Sequence, residues 1–233
     1  MKFTLLVPVL DEIDSIQIIM PKVDRSLFEQ IIVVDGGSTD GTVEWSKANG
    51  YEVYIQKERG LRKAYQEVMP LIRGDVIITF SPDGNSLPEV LSDLVKKMQE
   101  GYDMVIVSRY LGNAKSEDDS LVTAFGNWFF TTLTNVLYNA RYTDAFVIYR
   151  AYRKQVFFDL GFDKDDGFTW PEKWFHTRVS IEPLLSMRAS RRGLKISEIP
   201  GDEPARIGGV RKLQIIRWGL TFLYQAFDER LKG

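Results

Sequence analysis

The sequence contains no cysteine and one histidine, His176, in 233 residues. The first absence excludes structural disulfides and thiolate metal sites. The second argues against a histidine-rich zinc centre and leaves His176 a structural role among its aromatic neighbours. Any metal must then be held by oxygen ligands, which points to magnesium or manganese. No GxxxxGK[ST] stretch is present, so a P-loop is excluded, and no GxGxxG follows the first apolar run, which argues against a dinucleotide-binding fold. There are no repeats and no low-complexity tracts. Long apolar runs are also scarce. Residues 120–140, SLVTAFGNWFFTTLTNVLYNA, are uncharged and long enough to span a bilayer, but Ser, Thr, Asn and Gly make up nearly half of them. They read as an amphipathic helix, buried or lying on a membrane. The N-terminal MKFTLLVPVLDE is broken by Pro8 and acids and has no small-residue cleavage site, so it does not read as a signal peptide.

What is present is ordinary for a globular chain: 44% apolar and 27% charged residues, enough for one large domain with a sizeable core. The formal net charge of −2 is unevenly spread. Residues 186–233 carry 10 Lys/Arg against 5 Asp/Glu, while residues 1–185 carry 20 against 27. A basic tail on an acidic body suits an anionic or phosphate-rich partner, and a solvated basic face would give the same balance.

From residue 1 to about 110, apolar strands alternate with amphipathic helices. FTLLVPVL, QIIVVDGGS, YEVYIQ, GDVIITF and YDMVIVSRY read as strands. Residues 12–27 read as a helix broken near Pro21, and three further helical stretches follow. Short connections between apolar strands imply a mostly parallel, doubly wound α/β sheet with helices on both faces. The pattern changes after residue 110. LGNAKSEDDS and DKDDGFTWPEKWFHT read as loops, AFVIY as a strand, residues 179–193 as a helix, LKISEIP as a strand, and about 210 to the end as a helix. We expect a single domain over residues 1–233, with a nucleotide-binding half (1–110) and an acceptor half (111–233).

Three turns mark strand ends: Pro8 to Glu12, Asp35-Gly36-Gly37-Ser38, and Ser81-Pro82-Asp83-Gly84-Asn85. Each alone reads as a helix cap. In a parallel sheet all three fall on one edge, where ligands bind. The chemistry suits a nucleotide diphosphate. Asp83 and Asn85 can offer oxygen ligands to a hard cation, and Asp35 can accept from a nucleobase imide.

VPVLDE, VVDGGSTDGT, GDVIITFSPDGNSLPE, VSRY, TDAFVIYRAY and RIGGVRKL occur in an order that resembles glycosyltransferase family 2. Those are GT-A fold enzymes that use nucleotide sugars. The last three stretches are most similar to the branch of polyprenyl-phosphate sugar synthases. The resemblance implies that Pro8, Glu12 and Asp35 hold the nucleobase and ribose of a UDP- or GDP-linked sugar. Asp83 would match the last acid of a DxD metal motif for Mg2+ or Mn2+, with Asn85 two positions on. Arg109 would face the sugar or its phosphates, and Asp144 and Glu182 would be the acids near the transferred sugar and the acceptor. Arg206, Arg211 and Lys212 would match a basic loop that clamps phosphates. The expected acceptor is a polyprenyl phosphate or a cell-surface glycan precursor, the expected location is cytoplasmic, either free or peripheral to the inner face of a membrane, and no nucleic-acid partner is expected. The sequence departs from the family pattern at Gly36, at Ser81, and at Val147-Ile148-Tyr149-Arg150.

Bland alternatives stand beside these roles. Asp144 can cap a turn, Glu182 can sit at a helix start for its dipole, and the Gly208-Gly209 region can be a solvated loop. Trp128, Phe129, Phe130, Trp170 and Trp174 suit core or lobe packing better than a sugar platform. The last helix has an apolar arc too wide for a simple surface helix. It can pack on 120–140, pair with a second copy as a homodimer, or rest on a membrane. A non-catalytic nucleotide-sugar-binding or scaffold protein is the alternative to a transferase, and nucleotidyl transfer on a similar fold is a third.

Overall fold

The computed structural model describes residues 1–164, 168–207 and 215–232. Arg211 and Lys212 therefore lie outside the described residues. The strands are β1 (Phe3–Val9), β2 (Gln30–Asp35), β3 (Glu52–Ile55), β4 (Val76–Thr79), β5 (Met104–Ser108), β6 (Arg150–Arg153) and β7 (Ile196–Pro200). They form one seven-stranded sheet in the order β3-β2-β1-β4-β6-β5-β7. Among the described residues only β6 runs antiparallel to its neighbours; the other strand pairings are parallel.

The helices are α1 (Ile13–Ile19), α2 (Thr42–Ala48), α3 (Leu61–Val68), α4 (Leu91–Gln99), α5 (Leu121–Tyr138), α6 (Lys154–Asp159), α7 (Thr169–Phe175), α8 (Ile181–Arg191) and α9 (Ile215–Leu231). β1, β2, β4 and β5 are largely apolar on both faces because helices cover both faces. Leu6, Ile32, Ile77 and Ile106 point into one core, closed by Tyr65 and Val68 of α3 and Ile181, Leu184 and Leu185 of α8. Leu5, Val33, Ile78 and Val105 point into the other, closed by Ile16 and Ile19 of α1 and Leu91, Leu94 and Met98 of α4. The period of two along each strand sends alternate side chains to opposite layers.

The fold departs from the sequence reading in three places. The helix expected over 12–27 ends at Ile19 and gives way to 3-10 turns at Met20–Lys22 and Arg25–Leu27, with Pro21 in the second position of the first turn. The strand expected at AFVIY is instead Arg150–Arg153. The guanidinium of Arg150 takes the carbonyls of Ala145 (3.2 Å) and Val147 (2.9 Å), and Thr79 donates to the carbonyl of Ile148, so these groups are turned away from a ladder. The aromatic loop after residue 163 contains α7, whose Trp170 and Trp174 stack one turn apart at 5.4 Å. The last helix does pack on 120–140: Phe130 of α5 meets Phe222 of α9 at 5.6 Å, edge to face.

Candidate active site

The first two turns are knitted together at the C-terminal edge of β1 and β2. Asp35 is buried, and its carboxylate accepts from the backbone amides of Gly37 (2.8 Å) and Ser38 (3.0 Å). Gly37 has φ of +99°, which only glycine adopts at low cost. Asp11 accepts from the amide of Thr39 at 2.8 Å, and its own amide donates to the Ser38 hydroxyl at 2.8 Å. The amide of Glu12 donates to Thr42 Oγ1 at 3.0 Å. Pro8 lies in β1, paired with Val34.

The third turn follows β4. Asp83 is buried; Oδ1 accepts from the Asn85 amide at 3.1 Å, and Oδ2 faces the Arg206 guanidinium at 3.3 Å. The segment carrying Arg206 is strapped across this turn, because the Ile207 amide donates to the Asp83 carbonyl at 2.9 Å. Gly84, at φ +95°, admits that strap: a Cβ there would lie 2.7 Å from Ile207 Cγ1. Asn85 Nδ2 donates to Asp118 at 3.2 Å, which leaves Asn85 Oδ1 buried with no partner. An orphaned amide oxygen beside a carboxylate is a donor set that suits a hard divalent cation. Among the described residues, no group of three or more His, Cys, Asp or Glu side chains gathers as a ready metal cage.

Across the cleft, Arg109 follows β5. Its Nε donates to Asp144 Oδ2 at 2.6 Å and its Nη2 to Asp144 Oδ1 at 3.1 Å, a two-pronged pair. Its Nη1 donates to both Glu203 oxygens at 3.2 Å, and Asp119 lies 4.0 Å away. Burial opposes the Arg109 charge, but Asp144 and Glu203 outweigh it and hold the guanidinium protonated well beyond its ordinary range. Asp144 is fully buried behind Arg109, so both its oxygens are engaged in aiming that guanidinium. Burial raises the Glu203 carboxyl, and Arg109 pulls it back down.

Glu182 is the second residue of α8 and is buried. The Ser180 hydroxyl donates to its Oε2, while its Oε1 has no partner. Burial pushes the carboxyl above its ordinary value, against the pull of the Ser180 hydrogen bond and of Arg150.

A cavity of about 350 Å³ brings Ser81, Asp83, Asn85, Arg109, Glu182 and Arg206 together. Pro8, Glu12 and Asp35 share the sheet edge but lie outside its lining. A second, apolar cavity of about 200 Å³ lies between α5 and α9, with Val122, Phe130 and Phe222 in its wall. The two cavities share Arg109, Phe146, Ser180 and Trp218. Glu203, Asp118 and Ser180 had not been singled out in the sequence. Only the acids just before Arg206 offered a signal, since a buried arginine requires partners from somewhere.

The sequence profile described as "Glycosyl transferase family 2" matches residues 4–161. The chain belongs to glycosyltransferase family 2. It is a glycosyltransferase of GT-A fold. The undecaprenyl-phosphate mannosyltransferase of Micrococcus luteus is 25% identical over 251 aligned positions, covering 99% of each chain. Glycosyltransferase AglJ of Haloferax volcanii is 24% identical over 230 positions, covering 93% of this chain and 72% of the relative. The glucosyl-3-phosphoglycerate synthase of Mycobacterium tuberculosis, solved with Mn2+, UDP and phosphoglyceric acid, superposes with a TM-score of 0.73 over 98% of this chain and 78% of that one. At 18% identity that likeness speaks to the fold. The relatives bear out the expected resemblance to polyprenyl-phosphate sugar transferases.

Proposed function

We propose that this glycosyltransferase moves a sugar from a UDP- or GDP-linked donor to a polyprenyl phosphate. The observation that carries this reading is the shared wall between the two cavities. A polar, charged cleft at the strand ends opens beside an apolar groove between α5 and α9, so a phosphate head and a hydrocarbon tail each have a matching surface. The relatives named for undecaprenyl-phosphate and polyprenol substrates support the same acceptor class.

The residues have separable tasks. Asp83 and Asn85 would hold Mg2+ or Mn2+, which when bound supplies positive charge against the leaving diphosphate. Arg206 is released from Asp83 to meet the phosphates, with Arg211 and Lys212 assigned to the same clamp. Arg109, aimed by Asp144, faces the sugar and its phosphates, where charge grows in the transition state. Pro8, Glu12 and Asp35 hold the base and ribose. Glu182 orients the acceptor; a lipid phosphate is already anionic near neutral pH, so positioning does most of the work and a strong base is unnecessary. The nucleotide half (1–110) and the acceptor half (111–233) of one domain meet at this cleft.

Among the described residues no helix is long and apolar enough to cross a membrane. Leu121, Phe125 and Trp128 of α5 and Ile216 and Leu220 of α9 are nonetheless exposed beside the apolar groove. We read that face as a peripheral seat on the cytoplasmic surface of a membrane. Ser81 in place of an acid favours the second reading, a nucleotide-sugar-binding protein without turnover.

Calorimetry with UDP-, GDP- and sugar-linked nucleotides, with and without Mn2+, tests the donor side. Binding that strengthens with Mn2+ and weakens in Asp83→Ala is expected. No nucleotide binding under any condition overturns the proposal; binding without transfer to any polyprenyl phosphate favours the second reading.

A further inference from the structure

The roles above leave Gln225, a buried polar side chain of α9, unused. Gln225 is 0% exposed, its Nε2 donates to the Ser180 carbonyl at 2.8 Å, and its Oε1 has no partner. Burying an incompletely satisfied amide costs stability, and an apolar residue of similar shape would avoid that cost. Nor is the amide needed to seat the helix. One turn further on, Glu229 receives Arg188 Nε at 2.9 Å and Nη2 at 2.5 Å, and the Arg191 guanidinium takes the Glu229 carbonyl at 2.6 Å. Tyr138 of α5 donates to the Ala226 carbonyl at 2.6 Å.

What Gln225 does reach is the residue that holds Glu182. Ser180 precedes α8, lines both cavities, and donates its hydroxyl to Glu182 Oε2. Glu182 is 4% exposed and lines the polar cavity with its other oxygen unpartnered. We infer that Gln225 is a positioning residue: it pins the Ser180 backbone from α9, so that the Ser180 hydroxyl fixes one oxygen of Glu182 and leaves the other for the acceptor. The inference rests on the assignment of Glu182 to the acceptor side. It makes the C-terminal helix a working part of the site, beyond a packing element. A helix that also walls the apolar groove sets the acceptor's carboxyl partner at the same time.

The test is a double-mutant cycle with kcat and KM measured separately for donor and acceptor. Gln225→Met keeps the shape and removes the donor; Gln225→Leu is the second variant should methionine pack badly. Either is expected to lower kcat about tenfold, the worth of one hydrogen bond that fixes a reacting geometry, with donor KM and melting temperature little changed. Ser180→Ala should lose at least as much. The double variant should lose no more than Ser180→Ala alone, because Gln225 acts through that hydroxyl. Additive losses, a loss that appears in donor KM or melting temperature instead of kcat, or wild-type kcat in both Gln225 variants overturns the inference. Glu182→Gln separates the two levels. Wild-type turnover in that variant overturns the Glu182 assignment and this inference together. A slowed Glu182→Gln beside wild-type Gln225 variants overturns this inference alone.

Discussion

Asp35 and Asp83, in the turns that follow β2 and β4, take hydrogen bonds from backbone amides two or three residues away. Asp144 and Glu203, across the cleft, are held by Arg109 across sequence separations of 35 and 94 residues. The strand-end side is a set of turns, each nearly complete in its own few residues. The wall around Arg109 is a buried charge network in which every member depends on strands and loops from elsewhere. Backbone donors survive most side-chain changes, whereas a buried guanidinium stripped of a carboxylate does not.

Substitutions can break or sharpen that contrast. The largest effect belongs to Asp144→Ala, which leaves Arg109 without its two-pronged partner in a buried setting. Chemical denaturation should show a loss of about 3–5 kcal/mol. Asp35→Ala removes only turn hydrogen bonds and should cost about 1–2 kcal/mol in the same measurement. Equal losses would erase the distinction between the two sides.

Asp83→Ala should leave the fold intact and lower kcat/KM roughly 100-fold, the scale of losing one preorganised electrostatic contact to a transition state. Steady-state kinetics beside a melting curve checks both halves of that statement.

Arg206→Gln should act in opposite directions on two ligands. Removing the cation that faces Asp83 at 3.3 Å should tighten Mn2+ binding in the absence of nucleotide. Removing a phosphate partner should weaken UDP binding about tenfold. Titration calorimetry that shows both affinities moving together contradicts the exchange of partners.

The smallest effect is on stability against pH. Burial raises the Glu182 carboxyl above its ordinary value of 4.5, so the folded state holds that proton more tightly than the unfolded chain. Its contribution is fully present below the ordinary glutamate value and is lost as pH rises through the raised one. Wild-type melting temperature should therefore fall relative to Glu182→Gln as pH increases from 4.5 upward. A constant difference across that range speaks against a raised Glu182.

The same contrast explains what sequence reasoning could reach. β1, β2 and β4 were legible because apolar runs ended in Gly, Asp and Pro, and the turns they fed carry their own hydrogen bonds. The parallel order of the first strands followed from their alternation with helices. Past residue 110 the signals are not local. AFVIY has every mark of a strand, yet Arg150 gathers its carbonyls, and only the fold shows that a guanidinium sits beneath them. Asp144 was singled out, but its pairing with Arg109 was not, since nothing in TDAFVIYRAY announces a partner 35 residues back. Asp83 and Asn85 were read as a cation pair from spacing; the strap through Ile207 and the facing Arg206 emerge only from the packing around Gly84.

The central claim is transfer of a sugar from a nucleotide diphosphate to a lipid phosphate at the Asp83 cleft. The most direct measurement follows radiolabelled sugar from a panel of UDP- and GDP-sugars into the organic phase with a short-chain polyprenyl phosphate. It is run with Mn2+, with Mg2+ and with chelator, on wild type and Asp83→Ala. The account predicts lipid-linked product from at least one donor, dependent on the cation and reduced about 100-fold in the variant. Nucleotide-sugar binding with no lipid-linked product from any donor, or equal product from wild type and Asp83→Ala, would contradict it.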